Sequence, residues 1–270
     1  LRDVAGFVYG LRMSVTRGDF LKSLGKSLPG MVLGSGVTAA AQKFLSKMAA
    51  VTGEGPNAGG APAVPAAAPA RSAQPEFIRR GRPEGNRMAL TFDDGPSPGV
   101  TDRILDELKQ RGLHATFFMI GQKVAAAPDL ARRVLAEGHD VANHTYSHPD
   151  LTSLPEAKAA EEIQKMQDVM AELLHHKPVW FRPPFGSFRR TQMPLVHERG
   201  LRTVIWSVDS GDWALPGEAK ILETILQNTK PGSIIVCHDL HGQTADVIGR
   251  VLDGLVERGL SPVTMTALMA

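Results

Sequence analysis

Met88-Ala89-Leu90-Thr91-Phe92-Asp93-Asp94-Gly95-Pro96-Ser97 opens the organised part of a 270-residue chain: an apolar, β-type run that ends in two carboxylates and a Gly-Pro break. The same kind of run recurs downstream. Strands are predicted over Met88 to Phe92, Ala115 to Ile120, Asp140 to Asn143, Val179 to Arg182, Thr203 to Val208, Ser233 to Cys237 and Val263 to Thr266. Helical patterns fall between them, over Val100 to Arg111, Val124 to Glu137, Pro155 to His175, Arg190 to Arg199, Glu218 to Asn228 and Thr244 to Arg258. Strands alternating with helices in this way predict an α/β fold of right-handed βαβ units around a parallel sheet. Alternation alone does not choose between an open sheet and a barrel. Polar and aromatic residues at the C-terminal ends of most strands favour the barrel, because that is the rim where the βα loops converge.

Upstream the composition changes. Residues 1–83 carry 11 Lys+Arg against 4 Asp+Glu, a formal +7, while residues 84–270 carry 19 against 24, a formal −5. A basic tail suits an anionic membrane or wall surface, and the acidic remainder gives no reason to expect nucleic acid. From Met13 a basic stretch (Arg17, Lys22, Lys26), a weakly apolar run from Leu28 to Ala41 and the small residues Ala39, Ala40 and Ala41 read as an export signal within residues 1–50. Thr16-Arg17-Gly18-Asp19-Phe20-Leu21-Lys22 is similar to a twin-arginine signal, with Gly18 where the second Arg belongs. Residues 51–83, rich in Ala, Pro and Gly, read as a linker, which leaves residues 84–270 as the folded domain. The single cysteine, Cys237, excludes an intrachain disulfide and reads as an inert buried thiol.

Five strand ends carry chemistry. Adjacent side chains of a regular strand point to opposite faces, so Asp93 and Asp94 reach one site only if the strand stops there, and Gly95-Pro96 predicts that stop. Such a pair can divide metal ligation from proton transfer; it is equally a capping turn for the next helix. His144 and His148 have the i, i+4 spacing that lets two imidazoles share one face of a helical turn and chelate an ion, and with an Asp they leave open positions on a zinc-like centre. Arg182, before Pro183-Pro184-Phe185, would orient a carboxylate such as Asp93. Asp209-Ser210-Gly211-Asp212-Trp213 offers carboxylates and an aromatic platform suited to a sugar face. In Val236-Cys237-His238, period-2 alternation sets Val236 and His238 on one face and Cys237 on the other. The remaining histidines, His114, His139, His175, His176, His197 and His241, have no partner pattern and read as structural or solvated.

Taken in order, Thr91 to Ser97, His144 to His148, Arg182 to Phe185, Asp209 to Trp213 and Val236 to His238 resemble the polysaccharide deacetylase family, the NodB-homology domain of carbohydrate esterases. The resemblance covers about residues 85–270 and implies a distorted (β/α) barrel of about seven parallel strands. It implies one divalent metal ion, generally zinc with cobalt or nickel as alternatives, held by Asp94, His144 and His148. Asp93 then resembles the catalytic base and His238 the acid, with Arg182 orienting the base and Asp212 tuning the acid. Pro184, Phe185, Trp213 and Val236 resemble substrate-binding positions, with Phe185 in place of the more usual tyrosine and Val236 in place of leucine. The implied reaction removes N-acetyl groups from N-acetylglucosamine-type residues of a polysaccharide such as peptidoglycan, a chitin-like oligomer or an exopolysaccharide. The implied setting is an exported monomer in the periplasm or cell envelope, with membrane contact only through the N-terminal segment. Two other readings are hydrolysis of another linear or cyclic amide on the same scaffold, whose members tend to depart from the metal motif, and a catalytically dead carbohydrate-binding domain, whose mark would be a lost catalytic group.

Overall fold

The computed structural model describes residues 77–270. The expected export segment and residues 51–76 of the expected linker lie outside the described residues. Eight strands, β1 (Arg87–Asp93), β2 (Thr116–Met119), β3 (Asp140–Asn143), β4 (Trp180–Phe181), β5 (Arg202–Thr203), β6 (Val208–Asp209), β7 (Ile234–His238) and β8 (Ser261–Val263), form one sheet. Seven follow the order β5-β4-β3-β2-β1-β7-β6, all parallel, and β8 pairs with the first half of β1. The helices are α1 (Thr101–Gln110), α2 (Gly121–Ala126), α3 (Pro128–Ala136), α4 (Glu156–Leu174), α5 (Met193–His197), α6 (Glu218–Asn228), α7 (Gly242–Glu257) and α8 (Met265–Met269). None of the described helices is long and apolar enough to cross a membrane.

The alternation within β1 shows why the sheet curls around a core of its own. Met88, Leu90 and Phe92 pack outward against α1 and α7 in the larger apolar cluster, together with Phe117, Ile235 and Cys237. Ala89 points inward with Phe118, Ala142, Trp180, Val204 and Ile234, where Met265 and Leu268 of α8 fill the space. Both faces are buried, so the strands are largely apolar, and in β1 the C-terminal inward positions, Thr91 and Asp93, turn polar. The curled sheet is not laced together between β5 and β6.

That seam accounts for two departures from the sequence reading. The expected single strand from Thr203 to Val208 is two strands, because Ile205 donates to the Ile78 carbonyl while Ser207 donates to Ile234 on the far side. Residues 77–83, assigned by composition to the linker, contribute here: Ile78 pairs with Val204 and Arg80 with Ser233. Elsewhere, Pro128 divides the expected helix from Val124 to Glu137 into α2 and α3. Thr264 ends the last strand early by capping α8, its hydroxyl accepting from the Ala267 N–H at 3.2 Å.

Candidate active site

The ends of β1, β3, β4 and β7, with the loops that follow them, converge on a cavity of ≈ 360 Å³. Of the eleven residues singled out from sequence, Asp93, Asp94, His144, His148, Phe185, Trp213, Val236 and His238 line it. Arg182 and Asp212 are fully buried behind Asp93 and His238, and Pro184 is buried outside the cavity wall.

Two successive carboxylates reach one cavity because Asp94 itself adopts a left-handed conformation, φ 74°. The reversal therefore falls one residue before the Gly95-Pro96 break. Gly95 is needed for a different reason: a Cβ there would stand 1.9 Å from Asp239 Oδ2. Asp239 is a buried carboxyl that burial pushes up to about 7, and its Oδ2 accepts the Thr101 hydroxyl at 2.6 Å.

His144 and His148 do not lie on a helical turn. The segment is a loop with Thr145 at φ 69° and His148 at φ 62°, and its backbone amides are held by side chains. Thr145 N–H donates to Asn143 Oδ1, Tyr146 and Ser147 donate to Glu162 of α4, and His148 donates to Thr145 Oγ1. The i, i+4 spacing thus converges through loop geometry rather than helical periodicity. His148 Nε2 stands 3.1 Å and His144 Nε2 3.4 Å from Asp94 Oδ1.

The chemistry of this donor set fits a cation. His144 Nδ1 is 2.7 Å from the Arg182 carbonyl oxygen, which can only accept, so Nδ1 holds a proton and Nε2 is the ring nitrogen directed at Asp94. No hydrogen bond of good geometry reaches the buried Asp94 Oδ1. With Nδ1 so held, Nε2 of a neutral ring is placed to share a cation with the Asp94 carboxylate. Among the described residues, Asp94, His144 and His148 are the one group of three His, Cys, Asp or Glu whose ligand atoms lie within 4.8 Å of one another. Burial acts to raise the Asp94 pKa, but His144 and His148 outweigh it and hold the carboxyl well below the usual range.

Beside this cluster stand two buried pairs. Asp93 Oδ1 accepts from Arg182 Nη1 at 2.6 Å, and the same nitrogen donates to Thr91 Oγ1 at 2.8 Å. The guanidinium, 0% exposed, lies 4.0 Å from the Phe118 ring centroid; Asp93 offsets the burial of its charge only in part, and burial holds the Arg182 pKa below its ordinary value. Across the cavity, His238 Nδ1 is 2.7 Å from Asp212 Oδ1. Asp212 also accepts from the His238 N–H, Thr244 Oγ1 and Ser210 Oγ. Burial by itself would lower the His238 pKa; the Asp212 hydrogen bond and the charges of Asp93, Asp212 and Asp94 outweigh it, and the imidazole is pushed up to about 9. With Nδ1 committed to Asp212, Nε2 is the nitrogen left for the cavity.

Phe185 and Trp213 are the most exposed aromatic residues of the rim, at 68% and 61%. The Phe185 ring meets His148 edge-on at 4.7 Å. Cys237 faces away from the cavity among core residues, and burial raises its thiol well above the ordinary value. Three further wall residues, Trp206, Leu240 and His241, escaped the sequence reading. His241 has no partner pattern in the sequence; its place three residues past His238, in the same strand-end loop, is the signal that points to it. Trp206 was concealed inside the run expected to be one strand.

Comparison with known proteins supplies the relatives of this arrangement. The family model described as polysaccharide deacetylase matches residues 80–204. A peptidoglycan-N-acetylglucosamine deacetylase of Bacillus cereus is 35% identical over 185 residues, 67% of this chain and 67% of that protein. A chitooligosaccharide deacetylase of Rhizobium leguminosarum bv. trifolii is 40% identical over 179 residues, 66% of this chain and 82% of that one. Other relatives are longer, and the chain spans 38–39% of their length. Among solved structures, a peptidoglycan N-acetylglucosamine deacetylase in complex with 4-naphthalen-1-yl-N-oxidanyl-benzamide superposes with a TM-score of 0.69 at 34% identity, covering 72% of this chain and 92% of that one.

Proposed function

The chain belongs to the polysaccharide deacetylase family, and from that premise we propose that it hydrolyses the N-acetyl groups of N-acetylglucosamine-type residues in a cell-envelope polysaccharide. The observation that carries this reading is the convergence of Asp94, His144 and His148, whose ligand atoms lie within 4.8 Å of one another, on a cavity that also holds His238 bonded to Asp212. Zinc suits the one-carboxylate, two-imidazole donor set, with an export route and envelope location following from the expected N-terminal signal. Residues 77–270 then act as the catalytic domain.

A divalent ion held by Asp94, His144 and His148 would supply Lewis acidity toward a carbonyl oxygen and lower the pKa of a bound water. Asp93, fixed in orientation by Arg182, takes the proton from the attacking water. The Phe185 N–H donates to the carbonyl oxygen as negative charge gathers there, a kind of contact whose loss costs about 3–4 kcal/mol. His238 gives its Nε2 proton to the departing nitrogen, and Asp212 keeps the ring oriented while it does so. Water and the amide become acetate and a free amine on the sugar. Val236 forms the cavity wall beside His238, and Trp213 and Phe185 receive sugar faces.

The test is incubation of the full chain with peptidoglycan, a chitin-like oligomer and poly-N-acetylglucosamine, with mass spectrometry reading loss of acetyl groups. Deacetylation of at least one polymer is expected. Inactivity on all three with hydrolysis of simple amides or cyclic imides would move the assignment to another amide hydrolase.

The raised His238 pKa sets the sign of the pH dependence. The acid form is present below about 9 and is lost as pH rises through that value, so kcat declines on the alkaline side. Asp212→Asn removes the principal group that raises this pKa and is expected to move the alkaline limb toward neutral pH. A pH profile of kcat with an unmoved limb would separate His238 from the proton donor.

A further inference from the structure

Next to the catalytic cavity lies a second one, of ≈ 450 Å³, lined by Phe77, Arg79, Gly186, Phe188 and Arg190. The two share a wall. Phe185 lines the first and Gly186 the second, and a Cβ at Gly186 would stand 2.8 Å from the Trp206 ring, which itself faces the first. Phe77 meets Phe188 edge-on at 6.3 Å, and Phe188 leans on Phe181 at 5.5 Å, which gives the cavity an aromatic floor anchored to β4. Arg79 and Arg190 are exposed at its margin. The arginine ion pairs among the described residues all involve other arginines.

An aromatic floor with two guanidinium groups on its rim is suited to a ring that carries an anion: the apolar face of the ring lies on the phenyls, and the planar forks bind a carboxylate. The shared Gly186 wall puts this surface alongside the reacting centre, where a long glycan would continue. Resting on the deacetylase reading above, we propose that this groove is a subsite for a carboxylate-bearing sugar of the same glycan chain. The enzyme thereby favours acidic glycans over uncharged ones. Binding there uses none of the residues assigned to the reaction, so affinity and chemistry are separable.

The experiment compares the full chain with its Arg79→Ala/Arg190→Ala double variant. Calorimetric Kd is measured for two oligosaccharides of equal length, one uncharged and N-acetylated, the other carrying lactyl ether carboxylates on alternate sugars; turnover is followed in parallel. The variant is expected to bind the acidic oligosaccharide about three- to tenfold more weakly, as loss of two exposed charge contacts implies. Its Kd for the uncharged oligosaccharide should be unchanged. Weakening of the acidic complex by added salt should be largely lost in the variant. Equal affinities of wild type and variant for the acidic oligosaccharide, or equal losses on both ligands, would overturn the subsite. Binding without turnover on either oligosaccharide would count against the deacetylase reading alone.

Discussion

Asp93→Asn is expected to lower turnover on an N-acetylated oligosaccharide by about two to four orders of magnitude, the usual contribution of a positioned general base. The variant leaves the shape of the cavity almost unchanged but presents an amide where a proton acceptor is required. It also leaves the Arg182 guanidinium, fully buried and bonded to Asp93 at 2.6 Å, without a countercharge. Breaking a buried pair in that way costs about 3–5 kcal/mol. The Asn carbonyl can still accept from Nη1, so the loss should fall toward the lower end. Stability and catalysis are separated by the double variant Asp93→Asn/Arg182→Met, which removes both charges. Its thermal midpoint should recover relative to Asp93→Asn while its turnover stays low. Near-normal turnover in Asp93→Asn would remove Asp93 from the role of base.

Removal of the divalent ion is expected to have a comparable effect on turnover and a separate effect on stability. Dialysis of the full chain against a strong chelator should abolish deacetylation, and added zinc should restore it. An ion that binds only the folded state at 100 times its Kd adds about 2.7 kcal/mol of stability. For a domain of this size that corresponds to about 5–10 °C in Tm. His148→Ala leaves Asp94 and His144 to hold the ion and should weaken zinc affinity measured by calorimetry, whether or not any activity survives. A chelated protein with unchanged turnover and unchanged Tm would show that the Asp94 cluster serves another purpose.

The two predictions depend on different kinds of information. Asp93 and Asp94 are neighbours in sequence, and nothing local assigns them separate tasks; a capping turn accounts for the pair equally well. The separate roles proposed for them rest on Arg182, at the end of β4, which reaches across the curled sheet to Asp93, and on the left-handed backbone at Asp94, which turns its carboxylate toward His144 and His148. Likewise the spacing of the two histidines pointed to a shared ligand, but for a helical reason. In the fold a loop pinned by Asn143 and Glu162 brings them together.

The sequence by itself determined the alternation of strands and helices, and hence a parallel sheet, because hydrophobic period and turn residues are local signals. It also determined that the polar residues collect at the C-terminal strand ends, since the runs that lead to them are almost wholly apolar. Only the tertiary structure decided which of those residues meet. Sheet order places β1 between β2 and β7, so Asp93 stands opposite His238 in register although 145 positions separate them. The seam between β5 and β6, bridged by Ile78 and Arg80, and the entry of Trp206 and His241 into the cavity wall depend equally on pairing between distant segments. Such pairings are fixed by packing of the whole domain, and no window of sequence contains both partners.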